Sequence, residues 1–260
     1  MINLGTYIAL PIVGFVVGLL IVSLGGGGGA VYVGILTVFF HISPAIAAST
    51  SLATTIPTTA VGAFSHWKAG NVNLRFGITM LVSGAVGSVI GSLCSGFLPQ
   101  GLYNKLTGII LLLLALQMLI SFLRKKHGKT AEQDSAQIKK ANTIKAVCFG
   151  LLGGIMSGLV GLSGGGPIVA GLMILGCPAL ETVGTSVLVL FGIAVTGFLA
   201  HLSVGNIDWQ LVGLLAIGTM CGALAGPFLL KRADKKKLEK VLQPVLFIMI
   251  VVMGGMLMFK

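Results

Sequence analysis

Two glycine-rich stretches inside apolar sequence are the part of this chain best suited to bind a ligand. They read SLGGGGG from Ser23 and SGGGP from Ser163. Consecutive glycines break a helix because each loses much backbone freedom on folding. In hydrocarbon such a break persists only where protein covers it or where it lines a polar cavity. A helix restarting after each break would offer free N–H groups and a partial positive charge, which is the chemistry of an anion site.

We therefore predict a small-anion site between two facing breaks. The Thr-Ser pairs at 50–51 and 185–186 add hydroxyl groups that can donate to it. The predicted substrate-binding residues are Ser23, Gly25, Gly26, Gly27, Gly28, Gly29, Thr50, Ser51, Ser163, Gly164, Gly165, Gly166, Thr185 and Ser186.

A second group of polar residues lies near predicted helix ends. Histidine titrates near neutral pH, so a histidine pair suits gating or proton sensing, although most histidines at such positions are interfacial or cap nearby carbonyls. A carboxylate in the first turn of a helix gains from the helix dipole, and one near the membrane interior is often functional. The predicted gating or proton-linked residues are His66, Asn71, His201, Asn206 and Glu181.

The composition restricts the kind of element that can position these groups. Of 260 residues, 55% are hydrophobic and only 9% are charged, which excludes an ordinary soluble domain. The apolar runs are mostly about 20 residues long, as helical membrane spans require, and not the alternating runs of about 10 that form barrel strands. The chain is therefore predicted to be an all-α polytopic membrane protein.

The net charge of +11 does not indicate a nucleic-acid partner. Seven Lys/Arg lie in residues 124–145 and six in residues 231–240, both beside apolar runs. Basic residues in short cytoplasmic loops are what the positive-inside rule predicts. The four cysteines lie in apolar segments without a CxxC spacing, and no phosphate-binding GKS/T motif occurs, so no metal, cofactor or ATP is expected.

The predicted elements occur in the same order in both halves of the chain. Each half has a long helix, a glycine break, a half-helix and three further helices. The first-half helices are predicted at 4–24, 30–40, 43–67, 73–98 (or from 74) and 102–123, and those of the second half at 144–162, 167–175, 177–203, 209–230 and 241–259. This divides the chain into repeats at 1–123 and 144–260, joined by a basic cytoplasmic linker at 124–143.

Residue identities repeat at an offset of 135. His66-x3-Gly70-Asn71 recurs as His201-x3-Gly205-Asn206, for example. If each half is a broken-helix hairpin followed by three transmembrane helices, the number of crossings is odd and the second repeat is inverted. This arrangement puts 15 of the 17 Lys/Arg inside and both termini outside, whereas four simple spans per half would put the basic loops on opposite faces. We prefer the inverted repeat.

Some glycines have a packing explanation instead. Small residues spaced by three or four let membrane helices approach closely, but consecutive glycines do not form such a stripe. The predicted packing glycines are Gly84, Gly87, Gly91, Gly150, Gly154 and Gly158.

Two other functions share these features. Gly161-Leu162-Ser163-Gly164 and Ala200-His201 are similar to the serine and histidine segments of rhomboid intramembrane proteases, whose dyad needs the two side chains within hydrogen-bond reach. An anion channel could use the same glycine breaks. These alternatives differ from a carrier in proteolysis and in turnover, respectively.

The glycine breaks, the Thr-Ser pairs and the paired H-x3-G-N segments together resemble the sulfite exporter TauE/SafE family of permeases. The closest segments are GLVGLSGGGP at 158–167 and CPALETVGTS at 177–186. The first repeat departs from the second in having Ala30 where the second has Pro167, and Ser49 where it has Gly184. The resemblance implies a multi-pass cell-membrane transporter, in contact with the lipid bilayer, for sulfite, sulfonates or related anions. Coupling to protons or sodium, and homo-oligomer formation, are left open.

Overall fold

The regular structure of the described residues is entirely helical. The computed structural model describes residues 4–24, 28–126, 139–202, 207–232, 247–248 and 250–259, and no strand occurs among them. The helices are α1 Leu4–Leu24, α2 Gly28–Val38, α3 Pro44–Lys68, α4 Leu74–Ser95, α5 Gln100–Lys126, α6 Lys139–Val160, α7 Gly165–Ile174, α8 Ala179–His201 and α9 Trp209–Arg232, with a further helical stretch at 250–258.

Both predicted half-helices are present as short helices. α2 has 11 residues and α7 has 10, each about half the length needed to cross a bilayer. The two helices beside the predicted linker extend further than predicted, since α5 continues to Lys126 and α6 already begins at Lys139. Hydrophobicity marks where a chain leaves the hydrocarbon, whereas backbone hydrogen bonding can continue into the polar interface.

The N-termini of α3 and α4 are stabilised by different residues. Pro44 occupies the first turn of α3, where its missing N–H costs nothing. Ser43 holds the N-cap position, but its side chain makes no capping hydrogen bond. The helix α4 has a true cap, since the Asn73 side chain accepts a hydrogen bond from the Phe76 N–H.

Two helix pairs pack through glycine. A Cβ at Gly154 would overlap the Gly84 carbonyl, and one at Gly158 would overlap the Ser88 carbonyl, so α6 lies directly on the backbone of α4. The same holds for α9 on α1, where Gly218 meets the Pro11 carbonyl and Gly222 meets the Phe15 carbonyl. The predicted packing role is confirmed for Gly84, Gly87, Gly91, Gly150, Gly154 and Gly158, each of which lies against a backbone atom of the partner helix.

The packing register also gives helix directions. Residues later in α4 contact residues later in α6, and the same holds for α1 and α9. The two helices of each pair therefore run parallel. By contrast α3 and α8 are antiparallel, with Gly62 against Val187 and Leu52 against Gly197. The helix α7 runs back along α6, because Gly153 contacts Ile168 whereas Gly171 contacts Phe149. The second break is therefore the tip of a helical hairpin.

The outer surface is apolar, as expected for a protein in lipid. Large exposed hydrophobic side chains lie along α4, α6, α8 and α9, including Ile78, Leu152, Leu199 and Ile217. Among the described residues, three helices are long and apolar enough to cross a bilayer: Leu74–Ser95, Asn142–Val160 and Ala179–His201. Composition, length and surface together identify a helical membrane protein.

Candidate functional site

The second glycine break has a backbone that a helix cannot accommodate. Gly161, Ser163 and Gly164 have φ values of 72°, 60° and 61°, all left-handed. Glycine adopts this region freely, but serine does so at a cost of roughly 1–2 kcal/mol. The chain thus ends α6 at Val160 and restarts as α7 at Gly165.

The first break lies between α1 and α2. Its residues Gly25, Gly26 and Gly27 lie outside the described residues, and of Ser23 only the helical backbone at the end of α1 is described. Gly28 and Gly29 form the first turn of α2 and are buried. Both half-helices therefore begin with glycines, so neither N-terminus is covered by side chains of its own first two residues.

The two breaks meet directly. A Cβ on Gly29 would overlap the Oγ of Ser163 and would lie 2.7 Å from both the backbone N of Ser163 and the backbone carbonyl carbon of Leu162. Ser163 is 3% exposed, and its hydroxyl has no hydrogen-bond partner. A buried polar group without a partner is uncommon, and a ligand is one way to satisfy it.

Helix α3 of the first half supports the break of the second half. The Ser51 hydroxyl donates a 2.9 Å hydrogen bond to the Gly161 carbonyl, and Ala48 lies against the Gly161 Cα. The neighbouring Thr50 is fully buried, and its hydroxyl has no partner. Of the first Thr-Ser pair, one hydroxyl therefore holds the break in place and the other is unused.

The second Thr-Ser pair is arranged differently. The Thr185 hydroxyl oxygen accepts a 2.8 Å hydrogen bond from the Asn73 backbone N–H, in the turn between α3 and α4. The Ser186 hydroxyl donates to the Val183 carbonyl of its own helix, at 2.8 Å. Thr185 thus lies beside the α3–α4 turn, and its hydroxyl is already engaged there.

The two histidines occupy matching positions beside the breaks. His66 Nε2 lies 3.1 Å from the Val22 carbonyl oxygen, and His201 Nε2 lies 2.7 Å from the Gly158 carbonyl oxygen. A carbonyl only accepts, so Nε2 carries the donated hydrogen in each case. Each histidine therefore caps the end of the helix that precedes a break, which is the carbonyl-capping role considered above.

Glu181 and Asn71 lie near the α3–α4 turn. The Asn73 amide Nδ2 donates a 2.5 Å hydrogen bond to Glu181 Oε1, in the first turn of α8. The Asn71 carbonyl lies so close to Gly184 that a Cβ there would overlap it, and the Asn71 N–H donates to the His66 carbonyl at 3.0 Å. Asn206, the counterpart of Asn71, lies outside the described residues.

The sequence patterns did not lead us to predict a row of buried hydroxyl side chains along α3. Its members are fully buried and fall at spacings of four: Thr50, Ser51, Thr54, Thr55, Thr58 and Thr59. The last four each donate to the carbonyl four residues earlier. Residues 189–194 of α8 hold only apolar or glycine positions at the matching places, so the two halves are chemically unequal. In the sequence these hydroxyl residues appear as the three neighbouring pairs of TSLATTIPTT, at residues 50–59, and this repetition could have predicted the row.

No cationic side chain of the described residues lies inside the protein. Lys68, Arg75, Lys105 and Lys145 are all exposed. No group of three or more His, Cys, Asp or Glu that could hold a metal ion occurs in the described parts of the chain. Among the described residues, the groups at the breaks that could attract an anion are backbone N–H groups, helix dipoles and hydroxyls.

The serine–histidine dyad of a protease is not formed. His201 Nε2 is occupied by the Gly158 carbonyl, and the Ser163 hydroxyl has no partner. Nucleophilic serine chemistry needs the histidine within hydrogen-bond reach of the serine. The geometry gives this alternative no support.

Comparison with known proteins decides the family. The family model described as sulfite exporter TauE/SafE matches residues 10–255, nearly the whole chain. The chain belongs to the TauE/SafE family. Its relatives include the probable membrane transporter protein YdhB of Bacillus subtilis, 32% identical over 94% of this chain and 97% of the relative.

More distant relatives of this TauE/SafE protein have the same kind of name. The probable membrane transporter protein YunE of B. subtilis is 24% identical over 98% of both chains. The probable membrane transporter protein MJ0441 of Methanocaldococcus jannaschii is 27% identical over 92% of both. No solved structure matches the chain. Together the family and its relatives identify a membrane transporter.

Proposed function

We propose that this protein is a secondary transporter for small sulfur-containing anions, such as sulfite or organosulfonates, and that the anion binds where the two glycine breaks meet. The contact between Gly29 and Ser163 carries this proposal. It brings the N-terminus of α2 beside Ser163, two positions before the start of α7, so two helix N-termini converge on one place.

The chemistry of this place suits a small oxyanion. Each helix N-terminus contributes about half a positive charge and the backbone N–H groups of its first turn. The buried hydroxyls of Ser163 and Thr50 lack partners and can donate to an oxyanion. A cationic substrate would need carboxylates, and the described carboxylates, Glu181 and Asp208, lie at the starts of α8 and α9.

The hydrogen bonds and contacts described above support a smaller set of substrate-binding residues than the set predicted from the sequence. Ser163, Thr50 and the glycines that begin α2 and α7 are the proposed ligands in this conformation. Ser51 is proposed to act by positioning the Gly161 carbonyl, since its hydroxyl is used there. The sulfur-anion class comes from the family's description.

The inverted repeat is the proposed basis of alternating access. Helices α1 and α6, α3 and α8, and α4 and α9 start at 4 and 139, 44 and 179, and 74 and 209, each pair 135 residues apart. The contacts of Leu52 with Gly197 and of Gly62 with Val187 exchange when 135 is added to one residue and subtracted from the other. Equivalent helices that run antiparallel and contact each other in this way fit a two-fold axis in the membrane plane.

The helix directions also favour one orientation in the cell membrane. Because α4 and α6 are parallel and α3 ends where α4 begins, Lys68, Arg75 and Lys145 lie toward the same side. The positive-inside rule assigns that side to the cytoplasm. The proposed multi-pass protein then has both termini outside, with the two breaks reaching the interior from opposite faces.

Transport and the site are tested together in proteoliposomes. The purified protein should be stabilised thermally by sulfite or a sulfonate but not by a carboxylate of equal size and charge, because a ligand of the native state raises its apparent stability. Ser163→Ala should lower flux of the stabilising anion about tenfold or more, since a hydrogen bond to a charged group is worth roughly 1.5–3 kcal/mol.

Ser95→Ala is the matched control. Its hydroxyl is also buried but donates to the Ser92 carbonyl of the same helix. Flux should be nearly unchanged in this variant. Equal flux in Ser163→Ala and Ser95→Ala would rule out the proposed site, and an absence of anion flux in the unaltered protein would rule out the function.

A further inference from the structure

One side of α6 faces α7 along the whole hairpin. Phe149 lies against Gly171 of α7, and Gly153, four positions later on the same side of α6, lies against Gly164. Ser157 is the next residue on this side, about 6 Å further along α6. Since α7 begins immediately after Gly164, Ser157 lies beyond the N-terminal end of α7.

The hydroxyl of Ser157 is unusual for a buried helix residue. The side chain is fully buried, and the hydroxyl has no hydrogen-bond partner among the described residues. Other buried hydroxyls find a carbonyl: Thr107 donates to Tyr103 of its own helix, and Ser88 donates to Ile193 of a neighbouring helix. Burial without a partner is uncommon because the lost hydrogen bond to water is not replaced. The O–H of Ser157 is therefore available to a ligand.

A second hydroxyl of this kind lies within the same break. Ser163 is also buried without a partner in the described part of the chain. Between the two serines the Gly161 N–H donates to the Ser157 carbonyl at 2.7 Å and ends α6. Ser157 thus precedes the break and Ser163 lies in it, so both hydroxyls belong to the segment that leads from α6 into the N-terminal end of α7.

The first break lacks these two hydroxyls. The counterparts of Ser157 and Ser163, 135 positions earlier, are Val22 and Gly28. Val22 is buried beside Gly62, and a Cβ on Gly28 would meet the Ile21 side chain. At these two positions the first half is apolar where the second half has donors. The hydroxyl donors of the two hairpins are therefore concentrated at the α7 end.

We propose that Ser157 is a ligand of the transported anion, which lies at the N-terminal end of α7 and accepts from the hydroxyls of Ser157 and Ser163. This assignment rests on the transport function proposed above and adds a residue to its site. The positive end of the α7 dipole and two O–H donors act on the same place, which is the chemistry that an oxyanion needs. The first turn of α2, which touches Ser163 through Gly29, borders the site.

Calorimetric titration of the purified protein with sulfite and with methanesulfonate tests this assignment. Ser157→Ala should raise the Kd of the bound anion about tenfold or more, as expected for loss of a hydrogen bond to a charged group. Without anion, its thermal midpoint should be unchanged or higher, because the variant loses a buried hydroxyl that has no partner. A serine with a purely structural role would lower the midpoint instead.

Ser157→Cys separates the hydroxyl from the space that it fills. A thiol occupies a similar volume but is a weak donor, so the Kd should again rise about tenfold or more. Binding equal to that of the unaltered protein would mean that Ser157 only fills space, and the assignment would be wrong. Because this variant leaves no cavity, it also provides the measurement if the alanine protein does not fold.

Ser88→Ala is the matched control. Ser88 is fully buried like Ser157, but its hydroxyl donates to the Ile193 carbonyl at 3.1 Å. This variant should have a lower thermal midpoint and a nearly unchanged Kd. An unchanged Kd in Ser157→Ala, or a midpoint lowered as far as in Ser88→Ala, would overturn the assignment of Ser157 alone. If the unaltered protein binds neither anion, the transport proposal is contradicted and the assignment of Ser157 falls with it.

Discussion

Gly29 and Ser163 touch across the two halves of the chain, so closely that Gly29 has no room for a Cβ. They are 134 positions apart in sequence, yet they join the first turn of α2 to the break that precedes α7. Each half-helix would be too short to cross a bilayer alone. Substitutions at this contact are therefore expected to change both the stability of the protein and its transport.

Gly29→Ala should destabilise the protein by about 1–3 kcal/mol, the usual cost of overpacking, because the neighbouring atoms include backbone that cannot rotate away. Gly213→Ala is the control: it has the same gain in helix propensity but no neighbouring atom within 4 Å. Denaturant unfolding in detergent measures the difference. If both variants unfold alike, the two breaks do not touch.

Ser163→Gly should make the protein more stable and less active. Glycine relieves the left-handed φ of 60°, worth about 1 kcal/mol, and removes a buried hydroxyl that has no partner. Thermal unfolding and proteoliposome flux measure the two effects. A variant that gained stability and kept full flux would show that the hydroxyl takes no part in transport.

The orientation is tested at the two ends of α3, whose 25 residues span about 37 Å. Both His41, before the helix, and Ala69, after it, are exposed. In a cysteine-free background, His41→Cys should react with a membrane-impermeant maleimide added to intact cells, and Ala69→Cys only after lysis. The reverse pattern would refute the proposal that the basic loops are cytoplasmic.

Cys177 should react slowly with alkylating agents near neutral pH. It lies in the link between α7 and α8, where burial, with a smaller contribution from the Glu181 carboxylate, raises its pKa to about 11. At pH 8 such a thiol is about one part in a thousand thiolate, the reactive form. In a protein with Cys177 as its single cysteine, the alkylation rate should keep rising up to about pH 11.

Glu181→Gln is the companion variant for that measurement. It removes the smaller of the two causes, so the pKa should fall part of the way toward its usual value and the rate at pH 8 should increase. A rate that already levels off near pH 9 in the unaltered sequence would contradict the buried thiol.

The sequence was sufficient to predict most of the helices and both breaks. Consecutive glycines, apolar length and Pro44 are local features that act within a few residues, and the observed helices follow them. Prediction was weakest at helix ends near the basic linker, where α5 and α6 continue into polar sequence. It also overlooked the α3 hydroxyls beyond Thr50 and Ser51, since threonine has no strong local preference for a buried helix.

What the sequence alone determined is the class of the protein, the positions of its breaks and the 135-residue repeat, because composition and glycine conformation are local properties. Only the tertiary structure decided which hydroxyls are free. Ser51 bonds to Gly161 and Thr185 bonds to Asn73, across 110 and 112 residues, while Thr50 and Ser163 have no partner. No local pattern distinguishes these four hydroxyls, since their partners are set by how helices from the two halves pack.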